Sequence, residues 1–140
     1  MQHWLSKKKW VGKPKPLTTP VPSAKERGEA AENQALAYLK EQGLRLEARN
    51  VRYSCGELDL IMWDLSPKPA TLVFVEVRAR AGTTYGGAAV SINIAKQRRI
   101  IAAAAQYLQT RKASPPPCRF DVVLLQDETP PQWLQSAFTA

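Results

Sequence analysis

Histidine is almost missing from this chain: His3 is the only one in 140 residues. That excludes imidazole acid–base chemistry and the Ser–His and Cys–His nucleophile pairs, which need a histidine held inside the fold. Cysteine is nearly as scarce. Cys55 and Cys118 have no CxxC spacing and no neighbouring His, so a zinc site is not expected and both thiols read as free in a reducing cytoplasm. Long apolar runs are absent as well. The longest, Ile100 to Ala105, is short and Ala-rich, far below the roughly 20 residues of a membrane span. The N-terminus is basic but continues into Pro and Thr rather than an apolar core, so it does not read as a signal peptide. With 44% hydrophobic residues, the expectation is one cytoplasmic globular domain with no membrane partner.

Acids are missing from two stretches. Residues 1–25 contain none and carry Lys7, Lys8, Lys9, Lys13, Lys15 and Lys25. Of the net charge of +8 this segment holds +6, leaving 14 − 12 = +2 for the remainder. From Val77 to Phe120 there is again no Asp or Glu, while Arg78, Arg80, Lys96, Arg98 and Arg99 are all basic. Most acids lie between Glu26 and Glu76. This segregation suits an acidic, cation-binding pocket beside a phosphate-binding face. For any single Lys or Arg, a solvated helix face is the simpler reading.

What is present divides into a Lys/Pro-rich arm, residues 1–22, read as disordered, and a domain over residues 23–140. Ser23-Ala-Lys-Glu26 is a capping box and Gly43 a C-terminal stop, predicting a helix from about Ala24 to Gln42 with an apolar stripe of Ala31, Ala35, Tyr38 and Leu39. Glu32 lies at the edge of that stripe. A strand is expected over Leu44 to Tyr53, then a turn at Ser54-Cys55-Gly56. Two apolar runs follow, Gly56–Asp64 and Thr71–Arg80, joined by a Pro-containing turn. A hairpin symmetric about that turn pairs residues whose numbers sum to 135. Met62, Leu60 and Leu58 then face Val73, Val75 and Val77 on one side. On the other, Trp63, Ile61, Asp59 and Glu57 face Leu72, Phe74, Glu76 and Arg78. Gly-rich residues 81–91 are expected to form a loop, and Asn93 to Arg111 a helix with Ile94, Ile101, Ala104, Ala105 and Leu108 inward and Lys96 and Arg99 off the stripe. Phe120 to Leu125 reads as an interior strand, and Trp133 to Phe138 as cover for a sheet edge.

The register brings two carboxylates, Asp59 and Glu76, into opposition on a mostly covered sheet, which is destabilising without a positive charge between them. A hard divalent cation, Mg²⁺ or Mn²⁺, is the economical candidate, held by Asp59, Glu76 and the Val77 carbonyl, with Glu32 as auxiliary ligand or water anchor. Such an ion lowers the pKa of bound water and stabilises charge on a transferring phosphoryl group. Arg78, two residues beyond Glu76, shares its strand face and can hold a phosphate or orient water. Arg80, Lys96 and Arg99 are the candidate nucleic-acid contacts. The competing reading of Arg78 is a cross-strand ion pair with Glu57.

Gly28-Glu-Ala-Ala-Glu32, Asn50-Val-Arg52, Gly56-Glu-Leu-Asp-Leu-Ile61, Phe74-Val-Glu-Val-Arg-Ala-Arg80, Lys96, Arg119-Phe-Asp121 and Trp133…Ala137-Phe138 resemble the bacterial YraN family over about Ala24 to Phe138. That family in turn resembles the PD-(D/E)XK restriction-endonuclease-like nucleases and archaeal Holliday junction resolvases. The resemblance implies an α/β three-layer sandwich, a mixed central sheet with an antiparallel hairpin flanked by helices. It also implies Glu32 as the helix acid, Asp59 and Glu76 as metal-binding acids, Arg78 at the position usually held by Lys, possible action on branched DNA, and possible homodimerisation. Arginine stays protonated, so at this position it acts as fixed charge and donor fork and not as a base. Lys96 is placed to supply an ammonium instead.

The expected function is therefore nucleic-acid binding, DNA above RNA, with metal-dependent endonuclease activity. The alternatives are a catalytically weak or inactive binding module of the same fold, or membrane-surface attachment through Lys7-Lys8-Lys9-Trp10.

Overall fold

Ser23 starts the first helix by the expected mechanism: its Oγ accepts from the Glu26 N–H at 3.1 Å while Glu26 Oε1 accepts from the Ser23 N–H at 3.2 Å. The computed structural model describes residues 20–80 and 92–140. The arm over residues 1–22 therefore falls almost wholly outside the described residues, and the loop over residues 81–91 falls entirely outside them. Helix α1 runs Ala24–Glu41, followed by strands β1 (Arg45–Tyr53), β2 (Gly56–Asp64) and β3 (Thr71–Arg80), helix α2 (Ile94–Gln109), and strands β4 (Cys118–Gln126) and β5 (Gln132–Phe138). The strands form one sheet in the order β1-β2-β3-β4-β5. All neighbours are antiparallel except β3 and β4, which run parallel. The parallel pair is what requires a crossover, and α2 provides it. Among the described residues, no helix is long and apolar enough to cross a membrane.

One helix covers each face. On the α1 side, Ala35, Leu39, Leu60, Met62, Val73 and Val123 form a buried cluster. On the α2 side the cluster is Leu58, Ile61, Leu72, Phe74, Ile100 and Phe120. The architecture is an α/β three-layer sandwich of restriction-endonuclease-like form. The β2–β3 register holds as expected from Asp64↔Thr71 through Met62↔Val73 to Leu60↔Val75.

Three local expectations are corrected. Leu58 does not share a face with Leu60 and Met62; it packs in the α2-side cluster. Residues two apart on a regular strand share a face, so β2 turns over between these two leucines. Opposite that point, between the pairs Val51↔Leu58 and Arg49↔Leu60, Asn50 adopts φ 53, a left-handed conformation Asn tolerates better than most side chains. The second correction is in β1, whose apolar alternation breaks at a bulge between Leu46 and Ala48, leaving Leu46 exposed. The third is the α2 stripe. Ile94 is 58% exposed and Ala105 is exposed, while Ile100, Ala103 and Ala104 are buried. Lys96 precedes Ile100 by one turn, so it extends the buried stripe instead of lying off it.

Two polar networks fix the outer strands. Glu47, the residue extruded by the β1 bulge, accepts from Trp63 Nε1 at 2.8 Å, from Arg111 Nη1 at 2.8 and 2.9 Å, and from the Tyr107 hydroxyl. Burial alone pushes its carboxyl up, but these hydrogen bonds outweigh it and hold the group below the usual range. Asp121, fully buried on β4, accepts from Arg119 Nε at 3.0 Å, Trp133 Nε1 at 3.0 Å and the Ser136 N–H at 3.0 Å. The Trp133 and Ser136 bonds tie β5 to β4 across the irregularity between Phe120 and Val122. The tail is therefore a fifth strand in its own right.

Candidate functional site

The β2–β3 ladder ends at Leu60↔Val75, just where β2 turns over. The next amide in line, Val77 N–H, donates to Asp59 Oδ2 at 2.8 Å. The side chain of Asp59 thus replaces the backbone of β2 as partner to β3. Hydrogen-bonded strand residues turn N–H and C=O toward the same neighbour, so the Val77 carbonyl also faces the gap that Asp59 fills.

Glu76 is 8% exposed, and its carboxyl feels that of Asp59. Burial first, then the Asp59 carboxylate, push the Glu76 carboxyl up to about 8, against the pull of Lys96 and Arg78. Lys96 Nζ lies 3.7 Å from Glu76 Oε2, reaching in from α2. Glu32 approaches from α1. Its carboxyl is also raised, by burial and then by Asp59, with Asn50 and Arg49 partly offsetting. Glu32 Oε1 is buried without a hydrogen-bond partner, and the nearest cation, Arg49 Nη2, is 3.6 Å away. Asp59 therefore sits between two acids that each feel its charge.

Of the expected residues, Asp59, Glu76, Val77, Arg78 and Lys96 come together, with Glu32 behind them. Arg78, Val77, Glu76, Lys96 and Arg99 line one cleft of about 310 Å³. Arg80 is not brought there. It lines a separate groove with Arg27, Gly28 and Gln126 on the α1 side. Glu57 pairs with Arg52 at 3.8 Å across β1–β2. Arg49 and Asn50 join the site although neither belongs to the expected set; a lone Asn in the middle of a strand was the available signal.

Gly56 sets the distance between α2 and this site. A Cβ there would stand 2.3 Å from the Arg99 carbonyl oxygen. Only glycine lets the helix backbone settle on the start of β2, which carries Lys96 and Arg99 to the cleft.

No three carboxylate, thiolate or imidazole groups among the described residues converge into a ready-made metal cage. The donor set is a close pair of acids, an adjacent carbonyl and one buried, unsatisfied carboxylate oxygen behind them. That chemistry fits a hard divalent ion, which keeps several waters and takes few protein ligands.

The profile of the Uncharacterised protein family UPF0102 matches residues 31–125. A UPF0102 protein of Verminephrobacter eiseniae is 54% identical over 121 residues, covering 84% of this chain and 81% of its own. One from Cupriavidus taiwanensis is 52% identical over 123 residues, covering 88% and 90%. One from Paracidovorax citrulli is 56% identical over 116 residues, covering 81% and 82%. The matched region spans α1 to β4 and includes every acid and cation of the site. This chain belongs to the UPF0102 family, the YraN family its motifs resemble.

Proposed function

We propose that this protein binds nucleic acid, DNA in the first instance, and hydrolyses its phosphodiester bonds with Mg²⁺ or Mn²⁺ held by Asp59, Glu76 and the Val77 carbonyl. The observation that carries the reading is the Asp59–Glu76 pair. Two carboxylates interact across the splayed seam of a sheet, and one of them, Glu76, is 8% exposed and lines a cleft with Arg78, Lys96 and Arg99. Bringing acids together under cover is costly to the fold, and the arrangement makes sense where a cation and a phosphate complete it.

Within this reading the metal, when bound, supplies a nucleophile at neutral pH and neutralises charge on the phosphoryl oxygens. Asp59 is oriented by the Val77 N–H. Glu76 gives up its proton to act as a ligand. Lys96, on the buried stripe of α2, provides the ammonium that position 78 does not, holding a phosphate oxygen or a proton near the bond to be cut. Arg78 and Arg99 hold the flanking phosphates as fixed charges. Glu32, with its unsatisfied Oε1, anchors a water of the outer shell.

The test is incubation with labelled four-way, flapped and linear DNA in Mn²⁺, beside Asp59→Ala and Glu76→Ala. Cleavage is expected from the wild type and lost in both variants; cleavage surviving in both removes the assignment. Arg78 favours a second reading, a binding module without catalysis, and calorimetric titration with Mn²⁺ separates the two. Metal uptake abolished by Asp59→Ala supports the nuclease, and absence of uptake supports the module.

A further inference from the structure

Lys96 and Arg99 serve two clefts. Beyond the carboxylates they line a second one, of about 360 Å³, whose opposite wall is the β1–β2 turn, Tyr53 to Gly56. The two clefts meet at these cations. A volume near the low end of ligand sites, roughly 300–1,000 Å³, suits one ring-sized group and cannot admit a duplex.

Its walls are fixed before any ligand arrives. The Gly56 backbone lies against the Arg99 carbonyl, and Cys55 Sγ lies 3.4 Å from Gln106 Oε1. Tyr53 packs on the cluster containing Phe74 and Ile100, yet stays half-buried and lines the cleft. Arg99 makes no ion pair with any described residue, so its charge is available to a ligand. Glu57 at the outer rim is held by Arg52. A supported aromatic ring beside two cations has the composition of a single-stranded nucleic-acid subsite: bases stack on the ring whatever their identity, and the cations track the backbone.

We propose that the Tyr53 cleft receives one unpaired nucleobase next to the phosphate held at Lys96 and Arg99, so that the protein selects nucleic acid with an unstacked nucleotide over continuous duplex. This rests on the nuclease reading and adds the recognised feature. The pairing of the two clefts explains why Lys96 and Arg99 sit between them: a backbone phosphate at the cations leaves its base on the Tyr53 side and the scissile bond on the Glu76 side.

The experiment measures binding of the full chain by fluorescence anisotropy, with Ca²⁺ and constant salt. The probes are a duplex with a short thymine flap, the same flap with an abasic first nucleotide, and a continuous duplex. The thymine flap is expected to bind about tenfold tighter than the abasic one. Tyr53→Phe should keep that ratio and Tyr53→Ala should bring it to one, with melting curves confirming that both variants fold. Equal binding of the two flaps by the wild type, or a ratio that survives Tyr53→Ala, overturns the base pocket. In those cases salt-sensitive binding to all three probes leaves the nuclease reading in place. If none of the three binds in a salt-sensitive way, both readings fall.

Discussion

Glu76 is a carboxylate placed where its own charge is disfavoured, and this gives it a stability signature separable from activity. Its carboxyl is raised from an ordinary 4.5 to about 8, by burial first and then by Asp59. The folded state therefore holds more protons than the unfolded chain across that interval, so its contribution to stability is complete below about pH 4.5 and is lost as pH rises through about 8. Glu76→Gln keeps the shape of the side chain, removes the charge, and offers Asp59 an amide donor. Lys96 loses its partner in that variant, but at 45% side-chain exposure water solvates the ammonium. In EDTA at pH 8 the variant should melt several degrees above the wild type, at ~2–4 °C per kcal/mol for a chain of this size, and the gain should vanish by pH 4. Added Mn²⁺ should raise the melting point of the wild type alone. A variant less stable than wild type at pH 8 in EDTA would show that Glu76 is a structural anion neutralised by Lys96.

At the scale of elements, the site depends on how closely α2 sits on the β1–β2 turn. Gly56→Ala places a methyl 2.3 Å from the Arg99 carbonyl oxygen, a backbone atom that cannot swing away, so α2 must move. Overpacking of this type costs roughly 1–3 kcal/mol. Because Lys96 and Arg99 travel with the helix, nucleic-acid affinity should fall along with the denaturation midpoint. Unchanged affinity in a destabilised variant would separate the helix from the binding face. The same elements show what the sequence conveys. The β2–β3 register was legible from Asp64↔Thr71 to Leu60↔Val75 because a short turn and two alternating runs admit one pairing, but the ladder stops one residue short of the expected Asp59↔Glu76 pair. The turning over of β2 was not legible, because it depends on a left-handed Asn50 on the neighbouring strand and on Leu58, which is as apolar as Leu60. The inward face of α2 is obscured in the sequence for a related reason. Residues 101–105 read Ile-Ala-Ala-Ala-Ala, which marks no side, and Ile94 looks like core though it is exposed. Lys96 was legible as a source of an ammonium from its place at the start of α2, but its position one turn ahead of the buried Ile100 was not. The site's acids were visible as residues; the convergence of Glu32 from a separate helix was visible only as a possibility, since it depends on packing between layers.

For the whole molecule the decisive quantity is where the charge resides, because a net +8 with +6 in residues 1–25 leaves two sources for attraction to a polyanion. One is the lysines ahead of α1, and the other is the basic wall of Arg78, Lys96 and Arg99 around the two clefts. They differ in how affinity depends on salt. Each phosphate neutralised releases counterions and contributes about 0.9 to the slope of log affinity against log salt on duplex DNA, and about 0.7 on single strands. If the clefts carry the backbone, Lys96→Ala combined with Arg99→Ala lowers the duplex slope by about 2. Removal of residues 2–19 takes away Lys7, Lys8, Lys9, Lys13 and Lys15, and lowers the slope by at most about 4–5, with the preference among DNA structures unaltered. Anisotropy titrations from 50 to 200 mM salt measure both. A slope unmoved by the double substitution and abolished by the deletion would mean that attraction comes from the lysines alone, and that the clefts have no phosphate to place against Asp59 and Glu76.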